Sequence, residues 1–238
     1  MSSELKNRYD DIVRRMQAAC GRAGRDPASV QLMAVSKTQH PDDIAAVAAL
    51  GVETFGENRV QEAHGKISLC PGRLHWHLIG HLQSNKAREA ARLFEMIHSV
   101  DSVRMLETLD RVAGEEGRSL PVCLEVNVSG ERSKFGMAPE HVAGALEAAN
   151  RLFRVKVVGL MTIPPAAEDP QEARPFFRAL RELRDRMQGE SGVMMPELSM
   201  GMSQDFEVAI EEGATWIRVG SLLFGPRKRK EIDESGND

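Results

Sequence analysis

The strongest constraint on this chain is an alternation. Short apolar runs of strand length recur along it, and nearly every one is followed by a segment of helical periodicity. The runs cover residues 30–36, 54–55, 75–79, 96–100, 122–128, 155–161, 197–200 and 215–219. Helical segments are expected over 41–51, up to about 67, and over 84–93, 102–114, 139–152, 171–188 and 203–212. One more helix stands in front, over 4–20, where Leu5, Tyr9, Ile12, Val13, Met16 and Cys20 share a face and Gly21 and Gly24 end the pattern. Apolar strands alternating with helices imply a parallel sheet covered by helices. Eight such units in 238 residues predict an α/β fold, a single (β/α)8 TIM barrel with an extra N-terminal helix. A doubly wound open sheet is the alternative. It usually has fewer strands and a Gly-rich first turn, whereas the first strand here ends in Ser36-Lys37-Thr38. No composition break marks a second domain, so the barrel domain is expected over 1–229 with a polar tail over 230–238.

Composition excludes several classes of function. The net charge is −4 and no long helix carries a Lys/Arg face, so a nucleic-acid partner is not expected. The basic run Arg227-Lys228-Arg229-Lys230 is followed by Glu231, Asp233 and Glu234, which reads as a solvated tail. Cys20, Cys70 and Cys123 lack CxxC spacing and read as reduced structural thiols. The N-terminus lacks a signal-peptide pattern, and no apolar run approaches the roughly 20 residues of a membrane span. The expectation is a cytoplasmic monomer with no membrane partner.

In a barrel, chemistry belongs at the C-terminal strand ends. The first strand ends on Lys37, where an ammonium is costly to bury. Such a lysine either snorkels into water or forms a Schiff base with a carbonyl. The loop Ser199-Met200-Gly201-Met202-Ser203 and the turn Gly220-Ser221 follow the seventh and eighth strands. Small residues there let backbone N–H groups approach a phosphate; serine capping and glycine turns are the alternative, but both loops together in this position favour phosphate. Arg218 lies inside the last strand and needs acceptors, in an ion pair or on a ligand. Pyridoxal 5′-phosphate (PLP) would unite these features: aldehyde on Lys37, phosphate on the two loops, ring nitrogen at Arg218. An arginine there disfavours protonation of that nitrogen and weakens the ring as an electron sink. His75 and His77 form an HxH pair with His81 and His98 nearby, a zinc-like pattern without an evident third ligand. Filling polar barrel positions is the alternative, with Glu125 and Asn127 as their hydrogen-bond partners or as residues beneath a cofactor ring.

The assembled segments resemble one family. They are AVSKTQ (34–39), FGENRVQEA (55–63), WHLIGHLQSNK (76–86), HSVDS (98–102), EVNVSGERSKFGM (125–137), GLMTIP (159–164), LSMGMSQDFEVAI (198–210) and IRVGSLLFG (217–225). In this order, through nearly the whole chain, they are similar to the YggS/PROSC family of pyridoxal phosphate homeostasis proteins. The resemblance implies a fold-type III barrel of the alanine racemase N-terminal type, with PLP on Lys37. It implies phosphate contacts from Ser199, Gly201, Gly220 and Ser221, ring contact from Arg218, and a pocket lined by Asn58 and Met200. It also implies a role in binding, buffering and delivering PLP, with apo-enzymes as recipients, rather than catalysis. A weak one-base racemase or decarboxylase is the alternative. The only tyrosine is Tyr9, in the front helix, so a second base of the racemase kind has no obvious source. A third reading is a barrel enzyme for another phosphorylated substrate.

Overall fold

The computed structural model describes residues 3–70 and 72–225. The basic run at 227–230 and the expected tail over 230–238 lie outside the described residues.

Helix α1 (Ser3–Arg22) comes first and precedes strand β1 (Gln31–Val35). Then α2 (Pro41–Ala48), β2 (Thr54–Glu57), α3 (Val60–Ile67), β3 (His75–Leu78), α4 (Ala87–Leu93) and β4 (Met96–Val100) follow. The second half runs α5 (Val103–Glu115), β5 (Leu120–Glu125), α6 (Val142–Ala149), β6 (Val155–Met161), α7 (Arg174–Ser191) and β7 (Glu197–Met202). Helix α8 (Phe206–Glu211), β8 (Trp216–Val219) and α9 (Ser221–Phe224) complete it. Local chemistry sets several boundaries. Pro41 occupies the first turn of α2 beside Asp42 and Asp43, where acidic groups suit the helix dipole. Ser102 caps α5, its hydroxyl accepting from the Met105 N–H. Gly192 ends α7 with φ +71.

The eight strands are all parallel and close into a barrel in chain order. Closure pairs Met33 with Arg218 and Ala34 with Val219. Side chains alternate across the wall. Ala34, Phe55, Leu78, Ile97, Leu124, Leu160, Leu198 and Ile217 belong to the large core between strands and helices. Full burial of each Leu, Ile or Phe contributes about 1.5–3 kcal/mol. The interior is different. It holds two small apolar groups, Met33–Val35–Ile79 and Met96–Cys123–Met161. Buried polar residues His77, His98, Ser199, Glu125 and Arg218 accompany them. Helix α1 packs on α8 and α9. Arg8 donates to the Leu223 carbonyl (2.9 Å) and Arg25 to the Ile210 carbonyl (2.7 Å), which ties this front helix to the last elements.

The barrel and its extra helix are as the alternation predicts; the differences are local. Strand β5 begins two residues before the expected 122 and stops at Glu125, while Val126 makes only an isolated bridge to Met137. Asn127 builds a turn: its Oδ1 accepts from the Gly130 N–H (3.0 Å) and its Nδ2 donates to the Glu131 carbonyl (2.8 Å). Strand β7 extends to Met202, and α8 starts at Phe206 rather than at Ser203. His75 is partly exposed and meets Glu95 at 2.7 Å, whereas His77 is buried against His98 at 3.1 Å. Among the described residues no group of three His, Cys, Asp or Glu is placed to hold a metal, and the three cysteines are free. No helix among them is long and apolar enough to cross a membrane.

Candidate functional site

At the C-terminal strand ends the barrel opens into a cavity of about 620 Å³. Lys37 lines it from the turn after β1, half-buried rather than extended into water. That turn rests on a buried ionic cluster. Glu57, at the end of β2, is fully buried and accepts the Ser36 hydroxyl (2.6 Å) and Lys66 Nζ (2.8 Å) on one oxygen. Lys66, on α3, also donates to Glu62 (2.7 Å) and to the Ser36 carbonyl (2.8 Å). Burial pushes the Glu57 carboxyl up, against the Lys66 and Ser36 hydrogen bonds that pull it down.

Across the cavity lie the turns after β7 and β8. Gly220, Ser221, Met202 and Ser203 line it here. The Ser203 hydroxyl accepts from the backbone N–H groups of Gly220 (3.3 Å) and Leu222 (3.5 Å), joining the two turns. Asp205 fixes the first turn by accepting the Met202 N–H at 2.6 Å. Arg218 forms part of the lining although only 3% of it is exposed. Its guanidinium donates to Ser199 Oγ and to the Thr162 carbonyl, both at 2.9 Å. Burial lowers it to about 10, while Asp205, Glu125 and Cys123 act in the opposite direction, so it stays charged at neutral pH. Deeper in the barrel, burial pushes Glu125 up to about 7, with Asp101 adding to the rise and Arg218 opposing it. Desolvation brings His77 down to about 4 and His98 well below its ordinary value, so both imidazoles are neutral.

Of the eight residues expected at a ligand, Lys37, Asn58, Arg218, Gly220 and Ser221 line the cavity. Asn58 adds a buried Oδ1 without a protein partner, a polar atom that suits a ligand. Ser199, Met200 and Gly201 stand behind the lining. Ser199 is fully buried and engages Arg218; Met200 packs in the outer core. Gly201 has φ +91, and a Cβ there would lie 2.5 Å from the Ala209 Cβ, so its glycine serves the fit of β7 on α8. Strand β7 also shifts register against β8 before it ends at Met202, which leaves Ser203 in the turn at the cavity. Ser199 pairs with Trp216 and Met202 with Arg218, so β7 carries an extra residue and its faces change phase. Ser203 takes the cavity position. The lining also includes residues that the sequence reading does not assign, among them Lys134 in the loop after β5 and Ile163 to Pro165 after β6. A positive side chain beside a glycine-rich turn, and an apolar step into paired prolines, were the available signals. A second cleft of about 580 Å³, lined by Arg59, His81 and Lys86, adjoins the first through Asn58.

The arrangement is that of a carbonyl-and-anion binding barrel: an amine, a retained guanidinium charge, and a corner of serines and small residues. Comparison with known proteins agrees. The family profile "Alanine racemase, N-terminal domain" matches residues 8–228. The chain is 46% identical over 222 residues to the pyridoxal phosphate homeostasis protein of Aquifex aeolicus, covering 93% of this chain and 97% of that one. It is 44% identical over 227 residues to the protein of the same name from Pseudomonas aeruginosa, covering 94% and 96%. Among solved structures, PipY of Synechococcus elongatus with PLP bound matches with a TM-score of 0.78 and 43% identity, over 90% of this chain and 100% of that one. The chain belongs to the pyridoxal phosphate homeostasis protein (YggS/PROSC) family, on the barrel of the alanine racemase N-terminal domain.

Proposed function

We propose that this protein binds pyridoxal 5′-phosphate as a Schiff base on Lys37 and acts in cytoplasmic vitamin B6 homeostasis, buffering the cofactor and delivering it to apo-enzymes. The observation that carries this reading is the single cavity shared by Lys37, Arg218, Gly220 and Ser221. The relative whose solved structure has PLP bound supports it.

The residues present fit the group. Gly220 and Ser221, tied to Ser203, offer donors to a phosphate. Arg218 holds positive charge and N–H donors where a ring nitrogen can accept, and its charge keeps that nitrogen unprotonated. Ser199 and the Thr162 carbonyl orient this guanidinium. Asn58 offers its orphan oxygen. Met200 and Gly201 contribute from behind by setting the course of β7. When bound, PLP supplies an aldehyde that condenses with amines and a ring that withdraws electrons.

The test is borohydride reduction of the PLP-loaded protein followed by peptide mapping. The expected label is on Lys37, and Lys37→Ala abolishes it. A label elsewhere at the native site overturns the assignment. For delivery, transfer to an apo-enzyme should outpace release of free PLP; equal rates remove the carrier role.

One observation favours a second reading, weak one-base racemase or decarboxylase chemistry. Lys37 is the one base of that chemistry, and Glu125 at the end of β5, outside the cavity lining, is pushed up to about 7 and can hold a proton near neutrality. Tyr9, the only tyrosine, packs in α1 against the core and is not part of the lining. Steady turnover of an amino acid that Glu125→Gln abolishes would establish this reading; no turnover removes it.

A further inference from the structure

The two neighbours of Lys37 are held by the same buried ions. Before it, Ser36 donates its hydroxyl to Glu57 and presents its carbonyl to Lys66. After it, Thr38 donates its N–H to Glu62 Oε1 at 2.5 Å. Lys66 Nζ lies between the two carboxylates, 2.8 Å from Glu57 and 2.7 Å from Glu62, and so couples both holds. Thr38 is the one non-glycine residue with positive φ among the described residues, at +65. A β-branched residue there costs about 1–3 kcal/mol and persists only when its surroundings over-determine it. The bond to Glu62 supplies that determination.

Global stability is a poor explanation for the cluster. Glu57 is fully buried and Lys66 nearly so. Desolvating such ions costs several kcal/mol each, and well-packed apolar residues of similar volume commonly do as well. What apolar packing cannot supply is direction. Hydrogen bonds to a carbonyl, a hydroxyl and an N–H on both sides of one residue fix the path of the backbone through it.

We infer that Glu57, Glu62 and Lys66 are positioning residues for Lys37, a clamp that aims its amine at the carbonyl carbon of the ligand. This rests on the reading that Lys37 takes an aldehyde. In that step the neutral amine adds to the aldehyde carbon, and the carbonyl oxygen leaves as water with the two amine hydrogens, so that a carbon–nitrogen double bond remains. Its rate depends on orientation, and misplacement by about 1 Å can cost about a hundredfold. The phosphate and ring-nitrogen contacts do not depend on the clamp, because they rest on the turns after β7 and β8 and on Arg218, and only Asn58 adjoins it.

The test compares two ligands in the full-length apo-protein. Pyridoxal 5′-phosphate reports the covalent step through the rate of its absorbance change. Pyridoxine 5′-phosphate, with an alcohol in place of the aldehyde, reports non-covalent affinity alone. Glu62→Gln and Lys66→Met should slow the covalent step at least about tenfold and leave pyridoxine 5′-phosphate affinity within about twofold of wild type. Glu62 is partly exposed, so its variant decides the matter if Lys66→Met fails to fold. Two results overturn the clamp: a covalent step at the wild-type rate in Glu62→Gln, or an equal loss of both ligands, which marks a merely structural role. Failure of the wild type to form a reducible bond at Lys37 would instead sink the reading on which the clamp rests.

Discussion

The turn after β1 and the turn after β7 face each other across one cavity and are built by opposite means. The first is held by side-chain charges taken out of water: Glu57, Glu62 and Lys66 fix Ser36 and Thr38. The second is held through its own backbone N–H groups: a left-handed glycine, an aspartate accepting one N–H, and a serine hydroxyl accepting two across the turns, with no lysine or arginine among these holds. Ions give strong, directional holds at a high desolvation cost, whereas backbone donors are already part of the fold and cost little more. The contrast matches the tasks that the proposed function gives the two turns. An amine that must meet one carbon needs aim, while a phosphate with several equivalent oxygens needs only a ring of donors.

The largest effect should come from breaking the ionic turn. Lys66→Met leaves two carboxylates without their shared cation and should cost about 3–5 kcal/mol in denaturant unfolding; a loss under about 1 kcal/mol would mean the cluster is not desolvated as the structure has it. Next is the buried carboxyl at the end of β5. The folded protein holds the Glu125 proton more tightly than the unfolded chain, so stability is greatest below the ordinary carboxylate pKa and falls as pH rises through about 7. The total is about 3 kcal/mol, and Glu125→Gln should flatten that stretch of the stability–pH curve. Gly201→Ala puts a methyl against Ala209 at a positive φ and should cost about 2 kcal/mol, read by thermal or chemical unfolding. The smallest effect belongs to Ser203→Ala. Its hydroxyl accepts two long bonds, so stability should drop by about 1 kcal/mol or less. Pyridoxine 5′-phosphate affinity should weaken severalfold, and a stability loss as large as that of Lys66→Met would erase the contrast between the turns.

The barrel could be read from the chain because parallel strands buried on both faces leave uninterrupted apolar runs, and some helices carry boundary signals, such as Pro41, Ser102 and Gly192. Lys37, Arg218, Gly220 and Ser221 could be found because a strand end fixes where a residue points. Ser199 and Ser203 share one small-residue loop in the sequence, and which of them lines the cavity depends on where β7 ends, at Met202, and on an extra residue in that strand that leaves no mark on apolar periodicity. Lys66 was invisible for another reason. A lysine on an amphipathic helix looks solvated, and only the depth of β2 beneath α3 brings Glu57 within its reach.

The pairing of β8 with β1 has a consequence for the chain as it is made. The wall of the cavity is complete only when Arg218 lies beside Met33, a contact between the two ends of the fold. Such long-range pairings form late and together. A partly synthesised chain therefore presents Lys37 with no guanidinium and no serine corner opposite it. Under the proposed function, a carbonyl compound near the ribosome meets no pocket there, and capture begins with the finished molecule.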